Sequence, residues 1–527
     1  MDTKALLQKI LDLAIRGKLV PQDPNDEPAS VLLERIREQK LQMFKEGKLK
    51  KKDIKNDSVI FKGEDNLHYE KFQDGTVKCI EDEIPFEVPD GWAWERLANL
   101  AVFSGGKTPS TSKPEYWDGN VLWVTSKDMK RKYITTSQLQ LSPFGAEQMQ
   151  LYYPDTLLLV ARSGILRHTL PVSILKECAT INQDLKAIVL YMPQLAEYIY
   201  VCLKGMEEKI LLKYTKSGTT VENVNFSEFQ KLLLPIAPIQ ELNRIITSTI
   251  KAEDIISYIG NEKTLLTECI TKAKAKILDL AIRGKLVPQD PEDEPASVIL
   301  ERIHAEKEEL IKQGKIKRNK KESIIFKGDD NSYYEKMGTE IRCIDNEIPF
   351  EIPDSWAFVR LKHIGTVVGG GTPKTNAPSY WDGEIPWITP ADLSGYAAMY
   401  ISSGRRKITE DGLKTSSAHL MPQGTVLYSS RAPIGYVAIS DNPITTNQGF
   451  KSVVPYNFWM SEYLYYCLKA RTPDIEQRAT GTTFKEISGS AMAETIVPLP
   501  PLAEQQRIAD RLHTATSKFC ILEEQFN

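Results

Sequence analysis

The sequence predicts an α/β (α+β) protein in which two mixed α/β domains are separated by two long, antiparallel helical spacers. Three observations point there. The chain repeats itself, a heptad seam runs through the junction of the repeats, and the stretches between seams have a strand-and-loop texture. The repeat is plain in the letters. Residues 9–36 read KILDLAIRGKLVPQDPNDEPASVLLERI and residues 276–303 read KILDLAIRGKLVPQDPEDEPASVILERI, differing only at Asn25/Glu292 and Leu32/Ile299. The echo continues in Phe61-Lys62-Gly63 with Phe326-Lys327-Gly328, in Tyr116-Trp117-Asp118-Gly119 with Tyr380-Trp381-Asp382-Gly383, and in Asn182-Gln183 with Asn447-Gln448. Gly218-Thr219-Thr220 likewise returns as Gly481-Thr482-Thr483, and Pro235 as Pro498.

The seam comes next. Positions 242, 245, 249, 252, 256, 259, 263, 266, 270, 273, 277 and 280 follow 3,4 spacing, and all but Thr249 and Lys263 are apolar. That is the pattern of a coiled coil or long bundle helix. At 1.5 Å per residue it makes a rod of about 65 Å, with Gly260-Asn261 as a possible kink. The seam returns at the C-terminus in Gln505, Ile508, Leu512, Ala515, Phe519, Leu522 and Phe526, and its missing part stands at the N-terminus in Thr3, Leu6, Ile10 and Leu13. Together the terminal helices rebuild the central one. A pseudo-two-fold internal repeat with adjacent termini follows.

After each rod the chain turns at Gly17/Gly284, and a second helix begins near Pro28/Pro295 and stops near Gly47/Gly314. Lysine-rich runs follow: Lys48, Lys50, Lys51, Lys52 and Lys55, then Lys315, Lys317, Arg318, Lys320 and Lys321. They read as solvated linkers, with phosphate contact as the sharper alternative. Runs such as Val121-Leu122-Trp123-Val124 and Thr425-Val426-Leu427-Tyr428 then alternate with Gly/Pro/Ser/Thr loops, and one helix per copy is predicted at 194–204 and 460–469. The division is therefore 1–83 (helices and basic linker), 84–235 (first variable domain), 236–347 (long helix, second helix, basic linker), 348–498 (second variable domain) and 499–527 (C-terminal helix).

Composition narrows function. The 527 residues carry 41% hydrophobic and 26% charged residues, so large cores form and wholesale disorder is excluded. No apolar run reaches a membrane span, and an acid, Asp2, stands where a signal peptide needs positive charge; a cytoplasmic protein is predicted. Net charge is −3, which argues mildly against a free-standing DNA binder. Seven cysteines without a CxxC pair and six scattered histidines give no zinc framework. Gly105-Gly106-Lys107-Thr108 resembles the tail of a phosphate loop, but Ala101 stands where its first glycine belongs and copy two lacks the lysine. No catalytic dyad, metal site or [DNS]-P-P-[YFW] methylation loop is found, and the chain is read as non-catalytic.

The loops are instead rich in hydrogen-bond donors. Lys107, Lys130, Arg131, Lys132 and Arg162 are the candidate DNA contacts of copy one; Lys374, Asn376, Arg405, Arg406, Lys407 and Arg431 are those of copy two. Arg and Lys suit phosphates and guanine edges, Asn and Gln suit adenine edges. Asn182-Gln183 and Asn447-Gln448 fit structural hydrogen bonds better than base contacts. The copies also diverge unevenly, near-identical at 9–36/276–303 and dissimilar across 130–180/393–445. One part does the same job twice, and the other does two jobs.

These features resemble the DNA-specificity (S) subunit of type I restriction–modification enzymes over essentially the full length. The resemblance rests on Gly371-Thr372-Pro373, Tyr380-Trp381-Asp382-Gly383, Pro386-Trp387-Ile388-Thr389, Thr446-Asn447-Gln448-Gly449-Phe450-Lys451, Gly481-Thr482-Thr483 and, most specifically, the Pro498-Leu499-Pro500-Pro501-Leu502-Ala503-Glu504-Gln505 lead-in to the last helix. Copy one departs with Asp184 and with Leu234-Pro235-Ile236-Ala237-Pro238 at the equivalent places. The resemblance implies two target recognition domains, each reading half of a bipartite, asymmetric site in double-stranded DNA, and helices acting as a ruler. The same helices would dock two modification subunits, here assigned to Ile10, Leu13, Ile36, Ile277, Leu280 and Ile303. S-adenosylmethionine, ATP and Mg²⁺ would sit on the modification and restriction subunits, with none bound by this chain. The alternative is a tandem-repeat interaction scaffold without DNA specificity.

Overall fold

The computed structural model describes residues 2–54, 57–216, 221–314, 316, 322–481 and 485–526, without the side chains of 52 and 53. Parts of the basic runs (Lys55, Lys315, Lys317, Arg318, Lys320, Lys321) and Gly218-Thr219-Thr220 with Thr482-Thr483 lie outside the described residues. The chain divides into two compact units, Met1–Lys263 and Thr264–Asn527.

In unit one the first helix, α1 (Thr3–Ile15), is capped by Asp2, whose carboxylate accepts from the Lys4 and Ala5 amides. It buries Leu11, Ala14 and Ile15. Gly17 follows with φ 64°, and a Cβ there would lie 2.5 Å from Pro89, so the turn both needs positive φ and has no room for a side chain. Helix α2 (Ala29–Lys45) then buries Leu32, Leu33 and Ile36. Residues 58–79, read from sequence as linker, fold instead as an antiparallel three-stranded sheet, Ser58–Lys62, His68–Phe72 and Val77–Cys79. Unit two repeats this at Ser323–Lys327, Tyr333–Met337 and Glu340–Cys343.

The variable domain of unit one is built on a five-stranded sheet in the order 101–105, 185–190, 157–160, 172–175, 133–134. All four residues of Leu157-Leu158-Leu159-Val160 are fully buried. Leu157 and Leu159 face one core and Leu158 and Val160 the other, as a two-residue period demands of a central strand covered on both sides. Beside it, β1 (Trp117–Val124) lies between β2 (Leu139–Leu141), antiparallel, and β3 (Ala179–Ile181), parallel. Helix α3 (Ala196–Gly205) packs on α1, and Gln8 Nε2 donates to the Gly205 carbonyl at 3.1 Å. Helix α4 runs unbroken through Gly260 from Ile239 to Ile282, with residues up to 263 in unit one and the rest in unit two. Every seam position on it is buried or half-buried.

Unit two has the same three-stranded and five-stranded sheets in the same order. Its helices are α5 (Ala296–Lys312), α6 (Ser461–Gln477) and α7 (Leu502–Phe526), and its small sheet has β4 (Trp381–Ile388) flanked by β5 (Arg406–Ile408) and β6 (Thr445–Thr446). The predicted mixed α/β class thus holds in both units. No helix among the described residues is long and apolar enough to cross a membrane.

One polar cradle ties the Gly17 turn to the start of the long helix. Glu241 accepts from Trp92 Nε1 and Gln22 Nε2, both at 2.9 Å, while Arg244 pairs with Asp26. Unit two has Glu504 with Trp356 Nε1 at 2.8 Å and Gln289, and Arg507 with Asp293. Burial raises both glutamates above the ordinary carboxylate pKa. A charged core recurs likewise: buried Lys40 pairs with Asp57 at 2.6 Å, and buried Lys307 with Glu322 at 2.9 Å. Arg96 pairs with Glu70, and Arg360 with Glu335, each at 2.7 Å.

Candidate nucleic-acid interface

The glycine-rich loop after 101–105 is held in place rather than left mobile by sequence. Lys107 N donates to the Ile181 carbonyl at 3.0 Å, and Trp123 Nε1 donates back to the Lys107 carbonyl at 3.3 Å. Trp117 Nε1 holds the Ser110 carbonyl at 3.2 Å, and the two indoles meet edge-to-face with centroids 5.1 Å apart. Gly106 lies against the 181–182 backbone, where a Cβ would fall 2.1 Å from the Ile181 oxygen. Unit two repeats the device with Gly371 N on Thr446 O at 2.9 Å, Trp387 on Gly371 O at 2.8 Å and Trp381 on Lys374 O at 3.2 Å. No helix follows either loop at once, which removes the phosphate-loop geometry. The Asn-Gln pairs complete the anchor. Gln183 and Gln448 accept from the Thr108 and Thr372 hydroxyls, and the Asn182 and Asn447 carbonyl oxygens accept from the Asp184 and Gly449 amides. They are structural here.

On this scaffold the copies place their cations differently. Trp117 and Trp381 bind the carbonyls of Ser110 and Lys374, so Lys374 matches Ser110, and Lys107 matches Gly371. Lys107, Lys374 and Asn376 are exposed. Arg162 and Arg431 are true counterparts: each follows the buried central strand, and each makes an isolated antiparallel bridge, to Asn223 and Glu486. Arg162 is exposed, whereas half-exposed Arg431 lies 3.6 Å from Glu486. Their different spacing from the Asn-Gln pairs hid the match from sequence comparison.

The second cluster shows the sharpest contrast. Asp128 receives the Gln138 amide at 2.9 Å, and Asp392 receives the Arg405 amide at 3.0 Å. From there Leu139 pairs with Trp123 and Gln140 with Leu122, as Arg406 pairs with Trp387 and Lys407 with Pro386. One backbone therefore displays Gln138-Leu139-Gln140 in unit one and Arg405-Arg406-Lys407 in unit two. The Arg405 side chain is 78% exposed, and Arg406 stacks 3.5 Å from the Trp381 ring centroid. Lys407 lies 3.5 Å from the exposed Glu384. Sequence analysis missed Gln138 and Gln140, since only the capping aspartates align them with the arginines.

Two sequence assignments need correction. Lys130, Arg131 and Lys132 do not form one surface. Lys130 and Arg131 are exposed, but the Lys132 side chain is only 13% exposed, with Nζ 2.9 Å from Glu253 and 3.3 Å from Glu197 and over the Tyr200 ring. Burial lowers its pKa, yet Glu253 and Glu197 more than offset this and hold the ammonium above its ordinary value. Lys132 is an internal brace. Among the proposed partner contacts, Ile36 and Ile303 are core residues, 2% and 1% exposed. Ile10, Leu13, Ile277 and Leu280 are half-exposed.

The family model described as the type I restriction modification DNA specificity domain matches this chain twice, at residues 89–268 and 353–527. The MjaIX specificity subunit of Methanocaldococcus jannaschii is 49% identical over 161 residues, a match that spans 30% of this chain and 37% of that one. The EcoAI specificity subunit of Escherichia coli is 25% identical, with 97% of this chain and 88% of that one covered. A solved chain from work on complex assembly and conformational transition of the type I R-M system shares the fold at TM-score 0.54 and 16% identity, over 84% of this chain and 94% of that one.

Proposed function

Since the chain belongs to the family of type I restriction–modification DNA specificity subunits, we propose that it reads a bipartite, asymmetric site in double-stranded DNA. Each variable domain reads one half. The repeated helices dock two modification subunits, which carry S-adenosylmethionine and methylate adenine N6. Restriction subunits supply the ATP- and Mg²⁺-dependent translocation and cleavage. The chain itself contributes recognition and assembly.

One observation carries this reading: two matched loop-and-sheet scaffolds expose different donor sets at equivalent backbone positions. Gln138 and Gln140 match the hydrogen-bonding edge of adenine, whereas Arg405 and Lys407 match guanine and phosphate. A scaffold that merely bound protein would have no such reason to hold its frame constant and vary the donors on it.

The test is a methylome. The chain is co-expressed with a type I modification subunit in a methylation-free host, and N6-methyladenine is mapped by single-molecule sequencing. A two-part motif with a fixed gap, of which replacement of 84–235 changes one half only, is the expected result. Co-purification of the subunits without any methylation would remove the DNA role and favour the interaction scaffold.

A further inference from the structure

The two frames differ at one place where three metal-binding side chains converge. His304 and Glu308 stand four residues apart on α5, which puts them on one face. Glu322 approaches from the segment just before Ser323–Lys327. One ligand atom from each of the three lies within 4.8 Å of the others, and His304 Nε2 is 3.1 Å from Glu322 Oε2. We propose that His304, Glu308 and Glu322 bind a divalent transition metal of the zinc class, a site present in unit two and absent from unit one.

Unit one shows what the ordinary frame looks like. Arg37, Leu41 and Asp57 occupy the three positions, a cation, an apolar side chain and a shorter acid. Arg37 turns inward there and reaches the buried Glu95 at 3.3 Å. Unit two has lost both ends of that pair, with His304 for Arg37 and Val359 for Glu95, and Phe358 replaces Trp94. A cavity of about 790 Å³ lies in their place, lined among others by Glu301, His304, Glu322, Phe358, Val359 and His363. It gives a bound ion an open side.

Glu322 is long enough for two tasks. Its Oε1 keeps the frame pair with buried Lys307 at 2.9 Å, as Asp57 does for Lys40, and its Oε2 turns to His304. One imidazole nitrogen with carboxylate oxygens suits zinc, whereas magnesium and calcium prefer oxygen alone. Three protein ligands leave the fourth tetrahedral position to water or a small ligand. The His304 side chain is 59% exposed, free to draw the donors together.

The test uses the tag-free full chain stripped by chelator and titrated with Co²⁺, whose visible bands report tetrahedral coordination. One equivalent is expected to bind without a thiolate charge-transfer band, to be displaced by Zn²⁺, and to weaken about tenfold or more in H304A and in E308A. Neither substitution touches the Lys307 pair, so both variants are expected to melt with the parent chain. Glu322→Asp keeps that pair and is expected to weaken binding too. A thiolate band would assign the metal to the exposed Cys79, Cys178, Cys269 or Cys343 and overturn the proposal. So would equal affinity in H304A, or no saturable binding up to about 1 mM.

Discussion

Lys132→Ala separates the brace from the exposed donors beside it. In the fold the ammonium neutralises Glu253 and Glu197, whose side chains are 20% and 21% exposed, and lies 4.9 Å from the Tyr200 ring centroid. Its removal takes the cation from half-buried Glu253, while Glu197 keeps Lys176 at 3.3 Å. Leaving such a group unpaired costs about 1–3 kcal/mol, and the lost ring contact adds about 0.5–1 kcal/mol. For a unit of this size, 1 kcal/mol moves the melting temperature by roughly 2–4 °C. Thermal unfolding of the full chain is therefore expected to show unit one melting several degrees lower, with part of the loss recovered when Glu253→Gln is added. The salt slope of DNA affinity, measured on the assembled methyltransferase, is expected to stay unchanged in Lys132→Ala. It is expected to fall by about 0.9 for each phosphate contact removed in Lys130→Ala or Arg131→Ala. If Lys132→Ala instead lowers the slope by about one and leaves the melting temperature alone, the ion pairs do not describe the working protein.

Two further substitutions test the recognition strand and the frame. Arg405→Gln with Lys407→Gln writes the unit-one donor pattern onto the start of β5 and the residue before it, and the methylome is expected to change in one half of the motif only, with the other half and the gap preserved; a uniform loss of methylation would make these residues phosphate anchors instead. His363 stands where unit one has Asn99, and burial, reinforced by Lys307 and Lys362, lowers its pKa to about 4. The unfolded ring gains a proton below about pH 6.5 while the folded ring stays neutral to about 4, so stability falls across that window by up to about 3 kcal/mol and is untouched above it. His363→Asn is expected to flatten this difference in pH-dependent unfolding, and an unaltered profile would place the acid sensitivity elsewhere.

The class of the fold was legible because its signals are periodic and doubled. The 3,4 spacing marked α4 and α7, the Val121-Leu122-Trp123-Val124 run marked the end of β1, and the Tyr-Trp-Asp-Gly echo marked the repeat. The small sheet at 58–79 was hidden because its strands are short and two-sided: in Ser58–Lys62 only Ser58 and Ile60 are buried. A lysine run just before it drew the eye to solvent. The inward turn of Lys132 was hidden for a different reason. A run of three cations carries no mark of which one turns inward, and Lys132 does so only because Glu197 and Glu253 come from distant helices. The Arg162/Arg431 match depends on pairing rather than on spacing, so insertions erased it.

The near-identity of 9–36 and 276–303 has two sources that the structure separates. Leu11, Ala14, Ile15 and Ile36 are core, Gly17 has no space for a Cβ, and Gln22 and Asp26 serve the cradle. Each unit needs those residues whatever binds outside. Lys18 with Lys285 and Glu34 with Glu301 are identical yet exposed, and neither the core nor the cradle accounts for them. A docked partner would, because two identical subunits require the same surface twice. Charge reversal at exposed sites away from special contacts changes stability by no more than about 0.5 kcal/mol. Truncating or reversing rim charges at an interface, in contrast, slows association and changes its salt dependence. Lys18→Glu with Lys285→Glu is accordingly expected to leave the melting temperature near that of the parent and to reduce co-purified modification subunit, each single reversal reducing its stoichiometry from two toward one. If both reversals together leave two modification subunits bound with unchanged salt dependence, these exposed lysines are outside the docking surface and their identity needs another cause.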